Sequence, residues 1–450
     1  MITSDIIIIG AGPGGYETAV LAAKKGKSVT IIEAEKVGGT CLNEGCIPTK
    51  AFCRNAALME DLKESDFYGL KNCSFDFDFS KVLKRKNQVV NNLQNGVETL
   101  LKQKNIQLVY GKAVFKDPHT VEVFGELYTA KHILIATGSV TKYLPVEGLD
   151  LPGVVTSKEI LDIDHIPQRL CVIGAGVIGM EFASIFNSFG SQVTVVEFMK
   201  DILPNFDNDI AKRLKQSLSK KGIDIINQAG VKSVEKKEDG TLVVNYEVKG
   251  TMKSCEADTV LLAVGRAANV NSLNLADVGI EFTPKGIPVN DQMQTNVPHI
   301  YAIGDVNGRC MLAHAATFQG MRALHHILGE EDYIRLDIVP AAVFTSPEAA
   351  MVGLTEEQCK TQGIDFVSRK SFFRANGKAV SMNETDGICK LIADADGHIL
   401  GCHLFGAHAA DLVQEIAALM NQGATVSQLK SIIHAHPTLG EVVQSAAHEF

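Results

Sequence analysis

A chain of 450 residues is too long for one core, so two to four domains are expected. Its 46% apolar and 21% charged content is ordinary for a globular protein, and a net charge of −9 argues against nucleic acid or an anionic membrane as partner. The start, Met-Ile-Thr-Ser-Asp, carries no basic region or cleavage site, and the longest apolar runs are strand-sized. No signal peptide or membrane span is therefore expected. Ten cysteines without pairing rhythm fit a reducing, cytoplasmic setting. Eight of them (Cys53, Cys73, Cys171, Cys255, Cys310, Cys359, Cys389 and Cys402) are expected to be buried small apolar side chains.

Residues 5–33 open with an apolar strand that runs into Gly10, Gly12 and Gly15. A helical segment follows to Gly26, and a second strand ends at Glu33. A lone GxGxxG is weak evidence. Strand before, helix after and an acid about 20 residues on make it a dinucleotide-binding fingerprint. The glycines allow a tight turn and close approach of pyrophosphate to a helix N-terminus, and Glu33 would accept from a ribose hydroxyl.

Residues 38–50 read GGTCLNEGCIPTK. Gly38, Gly39 and Thr40 suggest a turn into a helix that continues through 51–63. A thiol near a helix N-terminus is biased toward thiolate, and two thiols this close can form a small-loop disulfide. A structural disulfide, half a metal site and two buried small residues are the alternatives. A metal site would want C-x2-C spacing or a nearby His, and no metal is expected.

This stretch resembles the redox-disulfide signature of the flavin-dependent pyridine nucleotide disulfide oxidoreductases, most of all their dihydrolipoamide-oxidising members. The resemblance covers almost the whole chain. It implies an α/β fold of two Rossmann-like dinucleotide-binding domains plus a C-terminal α+β interface domain. The expected divisions are 1–146 for the first part of an FAD domain, 147–267 for an NAD domain, 268–337 for the return to the FAD and central domain, and 338–450 for dimerisation. FAD would be held by Gly10, Gly12, Gly15, Glu33, Gly39, Thr40 and Lys50. Farther along, Ala113, after Gly111 and Lys112, resembles an adenine contact. Thr137, Gly138 and Ser139 close the first copy.

Residues 171–197 repeat the first fingerprint. Gly174, Gly176, Gly179, Gly190 and Glu197 match Gly10, Gly12, Gly15, Gly26 and Glu33, each at an offset of 164. Two copies imply two dinucleotides, and a flavin with a nicotinamide is the natural pair. The copy beside the cysteines would take FAD and the second NAD. Glu197 would repel a 2′-phosphate, and no Arg cluster follows it. The resemblance adds Val177, Ile178, Glu181, Val231 and Gly265 to the NAD contacts. It pairs Lys50, beside the flavin, with Glu181.

In 295–320 the resemblance marks Gly304 and Asp305 as flavin contacts. Met311, Leu312, Ala313 and His314 then begin a helix near the pyrophosphate, His314 acting through its backbone. Beyond residue 338, strands alternate with amphipathic helices in an α+β pattern. Phe344 and Ser346 stand where the dihydrolipoamide-oxidising members often have Tyr and His.

Residues 434–441 read HAHPTLGE. A dithiol must lose protons before it attacks a disulfide, and imidazole titrates in the right range. By resemblance, His436 is the base, Glu441 its partner, and His436-Pro437 a cis bond. The implied reaction is oxidation of protein-bound dihydrolipoamide through Cys41, Cys46 and FAD to NAD. The implied partners are a second copy and a lipoyl-bearing protein of a 2-oxo acid dehydrogenase complex or glycine cleavage system. The rival is a glutathione- or mercuric-reductase-like activity, which Glu197 and a C-terminus without a cysteine pair disfavour. A non-enzymatic scaffold would be expected to lack Cys41, Cys46 or His436, and all three are present.

Overall fold

The computed structural model describes residues 1–271 and 273–450, and the chain forms two compact units. The first comprises Met1–Ala51, Lys81–Lys142 and Gly265–Leu336; the second comprises Phe52–Ser80, Tyr143–Val264 and Asp337–Phe450. Among the described residues, no helix is long and apolar enough to cross a membrane.

In the first unit, strand Ile2–Ile9 lies between Val29–Glu33 and Glu126–Ile135, parallel to both, and Ile106–Tyr110 extends the sheet beyond Val29–Glu33. Ile6, Ile7, Ile8 and Ile9 are all buried, as a parallel strand covered on both faces requires. Ile6 and Ile8 enter one core with Ala19, Ala22, Ala323 and Leu324; Ile7 and Ile9 enter another with Phe115, Val121 and Ile133. Glu126–Ile135 is long enough to serve two neighbours. Its start pairs antiparallel with Thr120–Val123, and its end pairs parallel with Ile300–Ala302. Helices Pro13–Lys24 and Ala313–Leu328 cross on the Ile6 face almost backbone to backbone. A Cβ on Gly14 would come 2.9 Å from the Ala316 carbonyl oxygen, and one on Gly320 would collide with Thr18 Oγ1.

The second unit repeats the strand order. Arg169–Ile173 lies between Gln192–Val196 and Thr259–Leu262, with Asp224–Ile226 and Val154–Thr156 at the edges, all parallel. A three-stranded antiparallel meander, Ala229–Lys236, Leu242–Val248 and Thr251–Ala257, packs against it through a shared core. The C-terminal part is a five-stranded antiparallel sheet, ordered Ala341–Val343, Glu348–Gly353, Ile399–Gly406, Ile388–Asp394 and Phe366–Phe372. Helices Ala409–Asn421 and Glu441–His448 pack in its core.

Inside this unit the buried Lys390 ammonium donates to both Asp207 oxygens at 2.9 Å, to Asp209 at 2.9 Å, and pairs with Glu356 at 3.0 Å. Lys390 thereby ties the C-terminal sheet to the start of helix Asn208–Lys220. A cation with three carboxylates tolerates burial that a lone one would not.

Two expectations change. The cysteine segment is two helices, Gly39–Glu44 and Cys46–Lys63, because Gly45 breaks the chain direction between them. Of the eight cysteines expected to be buried, Cys171, Cys359, Cys389 and Cys402 are; Cys53, Cys255 and Cys310 are partly exposed, and Cys73 is exposed.

Candidate active site

The first glycine loop lies at the carboxyl end of strand Ile2–Ile9. Gly10, at φ +108°, donates its N–H to Ile32, and Ala136 donates to Ile9, so three strand ends converge there. A Cβ on Gly10 would collide with the Ala136 carbonyl, and one on Gly15 with the Gly10 carbonyl. Glu33 is buried and accepts from Ala11 N–H at 2.7 Å and Glu35 N–H at 2.9 Å. The carboxylate thus fixes the loop as well as facing it. Gly111, two residues before the buried Ala113, donates to the Glu33 carbonyl.

The cysteine segment docks on this loop. Gly38 donates to the Ala11 carbonyl at 2.7 Å, and a Cβ on Gly39 would lie 2.7 Å from Gly12 Cα. Asn43 bonds the Val37 and Gly39 carbonyls at 3.0 Å each, while its buried Oδ1 has no partner among the described residues. Cys41 lies on the short helix, and Cys46 opens helix Cys46–Lys63, with Lys50 one turn on. Thr49 backs this helix start, donating from N–H and hydroxyl to the Gly45 carbonyl. The two thiols are not joined as a disulfide. Hydrogen bonding to Cys46 pushes the half-buried Cys41 thiol far up, burial adds to this, and the Lys50 ammonium opposes it. Cys46 stands at a helix N-terminus, which favours a thiolate there.

A partly buried Arg266 gathers other predicted residues of this unit. Its Nε donates to Ser139 Oγ at 2.7 Å, and its Nη2 to the Ser139 carbonyl at 2.6 Å and Thr40 Oγ1 at 3.5 Å. Ser139 Oγ in turn donates to Asp305 at 2.6 Å. Burial lowers the Arg266 pKa, and Asp305 and Glu44 oppose that. Thr137 Oγ1 donates to the Asn269 carbonyl, and Asn269 N–H to the Gly138 carbonyl. Gly304 N–H donates to Gln319 Oε1 at 2.8 Å. Met311 and Leu312 lead into helix Ala313–Leu328, which holds Ala313 and His314 in its first turn and has no side-chain cap. Arg266, Asn269 and Gln319 were not expected. An arginine directly after the glycine of an apolar strand was the one available signal.

In the second unit the loop is copied in detail. The caps Gly12 and Gly176 have ψ of −178° and −175°, and neither helix that follows has a side-chain cap. Glu197 accepts from Ala175 N–H at 2.5 Å and Met199 N–H at 2.6 Å, the offsets used by Glu33. A Cβ on Gly179 would collide with the Gly174 carbonyl, as one on Gly15 would with Gly10. Val177 and Ile178 form the first turn of helix Val177–Ser188. Ala229, two residues before Val231, donates to the Glu197 carbonyl. Glu181 is buried and accepts from Phe344 N–H at 2.9 Å. Gly265 lies in the first unit, where its carbonyl accepts from Lys142 N–H.

These residues fit two dinucleotides. Uncapped helix starts offer free N–H groups to pyrophosphate, and no neighbour lies within 4 Å of a Cβ placed on Gly138, Gly176 or Gly265.

At the C-terminal end, Glu441 opens helix Glu441–His448. It pairs with His436 Nδ1 at 2.9 Å and accepts from Thr438 N–H at 2.8 Å. These bonds, Thr438 first, hold its carboxyl below the usual range. The His436 side chain is 78% exposed, leaving Nε2 open, and His436-Pro437 is cis. His434 is nearly buried and pairs with Glu415 at 3.0 Å.

Two nucleotide loops, a thiol pair on one of them and an oriented imidazole define a disulfide oxidoreductase. The chain belongs to the pyridine nucleotide-disulphide oxidoreductase family: the family model matches residues 4–320, and that of its dimerisation domain residues 339–447. It is 40% identical to a dihydrolipoyl dehydrogenase of Geobacillus stearothermophilus over 458 residues, 99% of this chain and 96% of the relative. It is 42% identical to one of Bacillus subtilis (strain 168), with the same coverage. Among solved structures, the HOCl-induced flavoprotein disulfide reductase RclA from Escherichia coli superposes with a TM-score of 0.88 at 31% identity, over 99% of both chains.

Proposed function

We propose that the protein is a dihydrolipoyl dehydrogenase, oxidising protein-bound dihydrolipoamide to lipoamide with FAD and NAD. The observation that carries this reading is the Cys41 and Cys46 pair docked on the first glycine loop, in a chain with full-length dihydrolipoyl dehydrogenase relatives. FAD is held by the first loop with Thr40, Lys50, Thr137, Gly138, Ser139, Gly304, Asp305 and the helix start at Met311–His314. NAD is held by the second loop with Glu197 and Val231. FAD, when bound, relays an electron pair between the cysteines and NAD.

His436 takes a proton from the substrate dithiol, and Glu441 orients the ring and stabilises its cation. The substrate thiolate attacks Cys41 of the Cys41–Cys46 disulfide, which frees Cys46 as thiolate. A second exchange releases lipoamide and leaves both cysteines reduced. The Cys46 sulfur holds the negative charge because a helix N-terminus favours a thiolate there.

The dimerisation domain supports a homodimer. A lipoyl-bearing protein of a 2-oxo acid dehydrogenase complex or glycine cleavage system supplies the substrate. A cytoplasmic location belongs to this reading and is supported by ten cysteines spaced without pairing rhythm. The test is NADH oxidation by the purified yellow protein with lipoamide as acceptor. No lipoamide-dependent turnover, together with robust reduction of another disulfide, would sink the reading in favour of an RclA-like reductase.

A further inference from the structure

Outside the site described, two further cysteine pairs lie within contact among the described residues: Cys389 with Cys402, both buried, and Cys171 with Cys255, of which one is partly exposed. Cys171 Sγ and Cys255 Sγ are 3.6 Å apart. Cys171 is fully buried in strand Arg169–Ile173, three residues before Gly174. Cys255 is partly exposed on Thr251–Ala257, the edge strand of the meander. Both belong to the second unit and to one apolar cluster with Leu242, Val244 and Tyr246.

We propose that Cys171 and Cys255 form a second dithiol centre, which a peroxide converts to a disulfide joining the meander to the strand that carries the second glycine loop. The sulfurs must close to about 2 Å, a movement of roughly 1.5 Å. The partly exposed edge position of Cys255, against the fully buried Cys171, makes it the sulfur that an oxidant reaches first. The hydrogen-bonded contact with Cys171 holds its thiol below the ordinary range, while the same contact, with burial, pushes Cys171 up. The Cys255 thiolate attacks one peroxide oxygen, releasing water and leaving a sulfenic acid. Cys171 then attacks that sulfur, the S–S bond forms, and a second water leaves. Two thiols and one hydrogen peroxide give one disulfide and two waters.

The chain is suited to a direct test. Trypsin yields residues 170–200, with Cys171 as the sole cysteine, and residues 254–266, with Cys255 as the sole cysteine. Cys41 and Cys46 fall together in residues 37–50. The flavin-loaded protein is reduced, freed of reductant, treated with hydrogen peroxide, alkylated in denaturant and digested. The expected product is a linked pair of 170–200 and 254–266, lighter by two hydrogens than the separate peptides. Dithiothreitol should split it, and Cys255→Ser should lack it. If both peptides carry the alkyl group while 37–50 is already oxidised, the proposal is overturned. A stable sulfinate on Cys255 with Cys171 alkylated overturns it equally.

Discussion

Glu197 does two jobs through one carboxylate. It fastens the second glycine loop through Ala175 and Met199, and in the proposed function it would put negative charge where a 2′-phosphate would lie. Glu197→Ala should therefore lower kcat/KM for NAD by roughly 10-fold or more, the scale of one lost charge-assisted bond, and shrink the preference over NADP. Glu197→Gln keeps an acceptor and should recover part of the loss with NAD. Steady-state kinetics with both coenzymes decide it; equal kcat/KM values in the unmutated protein would refute the assignment. In the proposed mechanism Glu441 acts through His436, with which it pairs at 2.9 Å. Glu441→Ala should reduce lipoamide turnover by roughly 100-fold and leave NADH oxidation by an artificial acceptor unchanged. The glycines and acids of both loops were legible because their spacing repeats at one offset. That each acid also clamps two backbone N–H groups was not, since spacing says nothing of what a carboxylate bonds. Arg266 was hidden for another reason: its partner Ser139 lies 127 residues away, and the pairing of two short strands brings them together.

At the scale of elements, the cysteine segment depends on the break at Gly45. A Cβ there would press on the Thr40 carbonyl oxygen at 2.9 Å, so the short helix and the long one meet at a corner that glycine permits. The corner places Cys46 at a helix start. Cys46→Ser should abolish the long-wavelength absorbance that a thiolate against oxidised flavin produces on partial reduction. Cys41→Ser should keep that band while losing lipoamide turnover. Anaerobic titration of each purified variant with NADH is the measurement, and a band that survives in Cys46→Ser would reverse the roles given to the two sulfurs. The sequence pointed to a single helix here because Gly38, Gly39 and Thr40 read as one turn into one helix, with 51–63 as its continuation. It pointed correctly to an apolar strand running into the first glycine motif, and the four isoleucines in a row are buried on both faces.

At the scale of the whole molecule, the Lys390 cluster ties parts of the second unit that are distant in sequence, and its titration has a definite sign. Lys370 and Lys390 overcome burial and hold the Asp209 carboxyl down at about 2, against an ordinary 3.8. Its contribution is present above the ordinary value and is lost as pH falls toward 2. Unfolding monitored between pH 4 and pH 2 should show this loss, and Asp209→Asn should flatten it. Lys390→Met, which leaves the buried Asp207 without its cation, should destabilise by about 3–5 kcal/mol in denaturant melts. A two-fold dimer offers a further test. With Cys41 and Cys46 supplied by one subunit and His436 by the other, co-expressed Cys41→Ser and His436→Gln chains give heterodimers with one doubly damaged site and one intact. Isolated heterodimers should recover about half the activity of the unmutated dimer; none at all would place each site within one chain.

The divided sequence of the first unit also sets a timetable for the newborn chain. Strand Glu126–Ile135 is synthesised long before Ile300–Ala302, which pairs Ile300 with Ile133, and the gap is 300 − 133 = 167 residues. At about 5–20 residues per second, the ribosome takes roughly 10–30 s to deliver the missing strand. Throughout that interval Ile133, Leu134 and Ile135 present an unpaired apolar edge, the kind of template that recruits other unfinished chains. The middle segment, meanwhile, carries a complete nucleotide fold of its own to shape. Yield in the cell should accordingly depend on how well that edge is shielded during translation.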